Sequence, residues 1–138
     1  MSSLSHLPLR LISGLVAFAA LNAPQMVAAQ ELGYFTGTYE LIGRDGAKEP
    51  RLLNQMLRLE PEGEALRVLS CEQVPGRLER GLSELPNSFG GEILGQSVFC
   101  SAYNNADNYA HFACHGEDGA RFSLWPTMEP SETQLSCG

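Results

Sequence analysis

The chain has 138 residues, and its 16 Asp and Glu outnumber its 9 Lys and Arg, which gives a formal net charge of −7 at pH 7. This balance excludes a strongly basic nucleic-acid binder and makes anionic membrane surfaces poor partners. The proportions of hydrophobic (43%) and charged (18%) residues are those of an ordinary folded domain.

The N-terminal segment predicts export. Arg10 is the only strongly charged residue before position 30, and an apolar run over residues 11–21 follows it. Small residues then precede Gln30, as the export peptidase requires. We therefore predict a signal peptide over residues 1–29. The alternative is a membrane anchor, but the run is shorter than the ~20 residues that span a bilayer, so we expect no membrane insertion after cleavage.

The remaining residues, 30–138, form one domain in which alternating hydrophobicity predicts antiparallel strands. A strand over residues 34–42 ends at an Asp-Gly turn, and residues 53–59 and 65–72 form a hairpin. Two short helices are alternatives within this region. One would cover residues 50–56, and the other would place Leu78, Leu82 and Leu85 on one face.

Three further strands are predicted over residues 92–103, 109–114 and 121–125, followed by an extended tail over residues 127–138 that only Cys137 would hold. The fold class is therefore mainly β: a small antiparallel meander of six or seven strands that closes as a barrel or forms a sandwich. The side chains expected to fill its interior are Leu57, Leu59, Val68, Phe99, Phe112 and Phe122.

Four cysteines, all in the exported part, predict two disulfides, because exported proteins meet an oxidising environment. Four cysteines allow three connectivities, and the sequence does not decide among them. We favour Cys100–Cys114, because these residues flank a hairpin loop. The pair Cys71–Cys137 then follows by elimination and would tie the tail to the body.

A histidine-rich run raises the alternative of a metal or haem protein centred on His111, Cys114 and His115. The run resembles a c-type haem attachment motif, but His111 replaces the first cysteine that the motif requires. A strand would separate the two histidines by about 13 Å, too far for one ion. We therefore favour a strand position for His111 and a turn position for His115, and we predict neither a metal nor a cofactor.

The hairpin tip and the only tryptophan are the predicted partner-binding residues, because exposed aromatic and amide side chains are frequent in binding loops. They are Tyr103, Asn104, Asn105, Asp107, Asn108, Tyr109 and Trp125. The alternative is that the tyrosines are cross-strand packing pairs and that Trp125 belongs to the core.

No complete catalytic set is found in the sequence: it has no G-x-S-x-G elbow and no phosphate-binding glycine loop. We therefore expect a non-enzymatic binding module, such as an inhibitor or accessory factor. It would be periplasmic or secreted and would meet an unidentified protein partner there. A structural component of the cell envelope is the other alternative.

Overall fold

The computed structural model describes residues 30–46, 48–49, 52–81 and 85–137, so the predicted signal peptide lies outside the described residues. Eight antiparallel strands follow one another around a closed barrel, and the last strand pairs with the first. The barrel confirms the predicted fold class. A 3-10 helix over Leu32–Phe35 precedes the strands, which are β1 Gly37–Arg44, β2 Leu52–Glu62, β3 Ala65–Ser70, β4 Gly76–Arg80, β5 Ser88–Ile93, β6 Gln96–Asn104, β7 Ala110–Gly116 and β8 Arg121–Pro126.

Both helix alternatives are wrong where the structure describes them. Residues 52–56 lie in β2, and Leu78 lies in β4. Leu78 is fully buried between the exposed Arg77 and Glu79, so this segment follows the two-residue period of a strand. Residues 50–51 and 82–84, which complete the two helix predictions, lie outside the described residues.

The predicted strand boundaries also need two corrections. Tyr34 belongs to the 3-10 helix, so the first strand begins at Gly37. The single strand predicted over residues 92–103 is divided into β5 and β6 by a tight turn at Leu94 and Gly95. Both turn residues have positive φ, 53° and 78°, as a two-residue hairpin turn requires.

An aromatic cluster fills the barrel interior around Phe112. The centroid of its ring lies 5.5 Å from Tyr39, 5.6 Å from Phe35 and 5.8 Å from Phe89. Five of the six predicted core residues are buried: Leu57, Leu59, Val68, Phe112 and Phe122. Phe99 is the exception. Its neighbours Val98 and Cys100 point inward, so Phe99 lies on the outer face of β6 and is only half-buried.

Both favoured disulfides are present in the structure. Cys100 and Cys114 are direct partners across β6 and β7, with their Cα atoms 4.1 Å apart and their sulfur atoms inside the barrel. Cys71, just after β3, is bonded to Cys137 near the end of the chain.

The C-terminal segment is held by far more than Cys137, which corrects the expectation of a tail with one attachment. Pro130 is buried against Gly37, where an added Cβ would lie 2.7 Å from the proline Cβ. The Thr38 amide donates a hydrogen bond to the Pro130 carbonyl at 2.8 Å. The Arg58 guanidinium donates to the carbonyl oxygens of Thr133 at 2.9 Å and Pro130 at 3.2 Å. The segment therefore packs on the outer face of β1 and β2.

Candidate binding site

Three aromatic side chains form a row across the outer face of β6, β7 and β8. Tyr103 pairs with His111 across β6 and β7, and their rings stack with centroids 4.8 Å apart. The His111 ring lies 4.1 Å from the Trp125 ring on β8. We call Tyr103, His111 and Trp125 the aromatic row. Two predicted partner-binding residues, distant in sequence, are thereby brought to one place.

Burial differs sharply within the aromatic row. Tyr103 and Trp125 are 51% and 49% exposed, whereas His111 between them is only 7% exposed. No described residue provides a hydrogen-bond partner for the buried His111 Nε2 atom. Desolvation by this burial lowers the pKa of His111 below its ordinary value of 6.5. The ring is therefore neutral near pH 7 and presents an apolar face to its neighbours.

A shallow groove lies beside the aromatic row, two residues further along each strand. Its floor consists of Ser101, Ala113 and Ser123, which are cross-strand neighbours in register. Ile42 extends this floor onto β1, where it is the partner of Ser123. The groove has a volume of about 480 Å³. The small side chains leave this space open between larger side chains on either side.

The residues on the other side of the groove floor, away from the aromatic row, are basic. His115 pairs with Arg121 across β7 and β8, and Arg121 pairs with Arg44 across β8 and β1. We call His115, Arg121 and Arg44 the basic row; Phe99 continues it onto β6. Four residues of strand separate this row from the aromatic row, a distance of about 13 Å.

The two arginines of the basic row differ from three of the other four arginines that the structure describes. In the part of the chain that the structure describes, neither Arg44 nor Arg121 has a carboxylate within ion-pair distance, and both are exposed. Arg58, Arg67 and Arg77, in contrast, each pair with a glutamate at 3.0–3.5 Å. The basic row is thus a local positive patch on an acidic protein.

Several polar side chains of the predicted hairpin tip form hydrogen bonds within the loop itself. The Asn105 side-chain oxygen accepts hydrogen bonds from the Asp107 amide at 3.0 Å and the Tyr109 amide at 2.9 Å, so it closes the loop. Asn104 and Asn108 bond to each other at 3.2 Å. Tyr109 is half-buried, and no ring contact is found between it and the aromatic row among the described residues. The aromatic row is therefore the more exposed apolar feature.

The residues of the metal or haem alternative are not brought together. Cys114 points into the barrel and is bonded to Cys100, whereas His111 and His115 lie on the outer face, on opposite walls of the groove. His115 lies in β7 rather than in a turn, which corrects the predicted position. Within the described ranges, no group of three His, Cys, Asp or Glu residues is arranged to hold a metal ion.

Neither the groove floor nor the basic row was predicted from the sequence. A signal for them is nevertheless present, because the outward positions of each strand alternate large, small and large. This pattern is visible in Phe99-Ser101-Tyr103, His111-Ala113-His115 and Arg121-Ser123-Trp125.

The fold and the site together define a small, closed, disulfide-linked antiparallel barrel whose outer surface carries a groove between the aromatic row and the basic row. No family model matches the chain, and no curated protein or solved structure is significantly similar to it. No helix in the described ranges is long and apolar enough to cross a membrane.

Proposed function

We propose that the chain is an exported, non-enzymatic binding module, periplasmic or secreted, that contacts a protein partner through the aromatic row. The two disulfides are compatible with an oxidising compartment outside the cytoplasm. The observation that carries the proposal is the exposure of Tyr103 and Trp125, each about half, at neighbouring positions of the outer face.

The packing of the aromatic row supports a role in binding. The barrel interior is filled by other side chains, so the exposed parts of Tyr103 and Trp125 do not contribute to the core. Tyrosine and tryptophan are enriched among the residues that dominate interface energies. His111 holds both rings from between them, which reduces the conformational entropy that a partner would have to remove.

Site-specific crosslinking followed by affinity measurement tests the proposal. A photoreactive phenylalanine analogue at position 103 should crosslink one protein in the native compartment, and the same analogue at position 85 should not. Leu85 is a matched control because it is 51% exposed and lies in the segment between β4 and β5.

The identified partner is then titrated with purified variants. Trp125→Ala should weaken binding by about tenfold or more, the effect of a moderate interface residue. Leu85→Ala should leave the affinity unchanged. A partner that binds Trp125→Ala as tightly as the native protein would contradict the role of the aromatic row. Crosslinking to no protein at position 103 would instead favour the structural envelope alternative.

A further inference from the structure

We propose that the groove binds an extended acidic segment of the protein partner, with its carboxylates on Arg44 and Arg121 and its apolar side chains against the aromatic row. This inference rests on the proposed function and specifies the chemistry of the partner. The proposed function involves only the aromatic row, whereas this inference also gives the groove floor and the basic row a role in binding.

The charge arrangement indicates a carboxylate ligand. Arg44 and Arg121 are directly opposite each other on neighbouring strands, and like charges in this arrangement repel. No described carboxylate lies within ion-pair distance of either guanidinium, although the chain has 16 acidic residues. Carboxylates from a partner would neutralise the pair, and each guanidinium can bind a carboxylate through two parallel hydrogen bonds.

At contact distance, an acidic ligand is attracted by the arginines of the basic row more than it is repelled by the net negative charge of the chain. The acidic chain as a whole repels an acidic partner, but this repulsion is screened beyond about 8 Å at physiological ionic strength. The groove lining includes Arg121 and no acidic residue, and Glu40, the partner of Trp125 on β1, lies on the side of the aromatic row, away from the two arginines. An acidic segment in the groove therefore meets positive charge first.

The dimensions of the groove suit a short extended segment. The floor crosses four strands, β6, β7, β8 and β1, which at a spacing of about 4.8 Å gives a length of about 14 Å. At about 3.3 Å per residue, four or five extended residues fill this length. The barrel is closed, so a partner strand cannot join a free edge of the sheet and has to be recognised through its side chains.

The separation of the two rows suits an extended peptide. Successive side chains of an extended peptide point to opposite sides, so alternating acidic and apolar residues would face the basic row and the aromatic row respectively. The serine hydroxyls of the floor, Ser101 and Ser123, lie between the walls, where the peptide backbone would run.

The single tryptophan provides a direct readout, because Trp125 lies in the aromatic row. The probe is an acetylated and amidated pentapeptide in which three glutamates alternate with two leucines. The matched control peptide has three lysines in their place. We expect the glutamate peptide to change Trp125 fluorescence saturably and to bind at least about tenfold more tightly than the lysine peptide.

Two charge-matched double variants test the basic row. The double variant Arg44→Gln with Arg121→Gln should bind the glutamate peptide about tenfold or more weakly than the native protein, because both guanidinium groups that would bind its carboxylates are lost. Arg67→Gln with Arg77→Gln removes the same net charge from paired arginines outside the groove and should change the affinity by less than about twofold.

Several outcomes would overturn the inference: no saturable binding of the glutamate peptide, equal binding of the two peptides, or an equal effect of the two double variants. Tighter binding of trigalacturonate than of the glutamate peptide would assign the groove to an acidic sugar.

The affinity of the crosslinked partner for the variants distinguishes failure of this inference from failure of the proposed function. If its affinity depends on Trp125 but not on Arg44 and Arg121, only the acidic segment is refuted; if it is independent of Trp125, the proposed function fails.

Discussion

His111 is an ionisable side chain on the outer face of the barrel that two aromatic neighbours remove from water. Its imidazole lies between the rings of Tyr103 and Trp125, and no described group accepts or donates a hydrogen bond at Nε2. A proton added to this ring would create a charge with little solvation. Protonation of His111 therefore destabilises the packed form of the aromatic row.

This burial predicts a pH dependence of stability. The folded pKa of His111 is lowered, whereas the unfolded chain has the ordinary value near 6.5. The unfolded chain therefore binds the proton first as the pH falls, and the free energy of unfolding decreases. The stabilisation is fully present above about pH 6.5 and is lost as the pH falls through the folded pKa. We expect Tm, measured by circular dichroism, to rise between about pH 5 and pH 7.

The control is His111→Phe, which keeps a ring between Tyr103 and Trp125 and removes the titration. Its Tm should change less than that of the native protein over the same pH range. The pKa of Glu60 is lowered by its hydrogen bond from Arg67, so its titration falls below this range and does not interfere. An equal pH slope in the variant would show that His111 does not cause the effect.

At the scale of strands, the groove depends on register more than on composition. Three strands carry a large, a small and a large side chain at successive outward positions, and this alternation can be read from the amino-acid sequence. The groove exists because the pairings Ser101 with Ala113 and Ala113 with Ser123 align the small residues. A shift of one residue would turn these side chains inward. The sequence alone does not specify that alignment, so Tyr103 and Trp125 could be named as candidates from the sequence, whereas the groove could not be predicted.

The length of the alternating pattern and the residues of the turns decided which strands could be predicted from the sequence. Alternating patterns located most of the strands, and the loop between Cys100 and Cys114 indicated their disulfide. The short strand β4 has Leu78 as its only buried apolar residue, so its two-residue period was too short to recognise. The turn at Leu94 and Gly95 lacks the Asn or Asp that usually precedes glycine in such turns, which concealed the boundary between β5 and β6.

The attachment of the C-terminal segment gives a second prediction. Arg58 donates hydrogen bonds to three carbonyl oxygens of that segment, in Pro130, Ser131 and Thr133. Arg58→Met removes these charged donors, and we expect a loss of about 2 kcal/mol or more in urea unfolding, because bonds to charged groups contribute most. Limited proteolysis should also cleave the segment faster.

Arg67→Met is the matched control for this prediction. Arg67 bonds to Glu60 and Glu62 on the exposed surface and makes no hydrogen bond to the C-terminal segment among the described residues. Exposed ion pairs contribute between zero and about 1 kcal/mol, so this variant should lose less stability and keep the native proteolysis rate. Equal losses in both variants would show that Arg58 acts only through its charge.

Closure of the barrel pairs the first strand with the last. β1 and β8 pair from Tyr39 with Pro126 to Arg44 with Arg121. Such a pairing has no local sequence signal, which is why the strand pattern left a barrel and a sandwich equally open. Closure also removes the exposed edges that a sheet of this length would present to other chains.

Closure predicts different consequences for two truncations of the chain that begins at Gln30. A chain that ends at Pro126, with Cys71→Ser, keeps all eight strands and loses the segment bound by Arg58 together with the Cys71–Cys137 disulfide. It should fold, with reduced stability and a cooperative urea transition. A chain that ends at Ala120 loses β8 and with it the buried Phe122 and Leu124, each of which contributes roughly 1.5–3 kcal/mol.

The shorter chain also exposes the free edges of β1 and β7, so the total loss approaches the ~5–15 kcal/mol that typically stabilises a domain. We expect it to be unfolded or aggregated, as judged by far-UV circular dichroism and the absence of a urea transition. A cooperative transition in this chain would mean that seven strands form a stable open sheet. Loss of folding in the longer chain would mean that the segment after Pro126 belongs to the core structure, since closure of the barrel alone would then be insufficient.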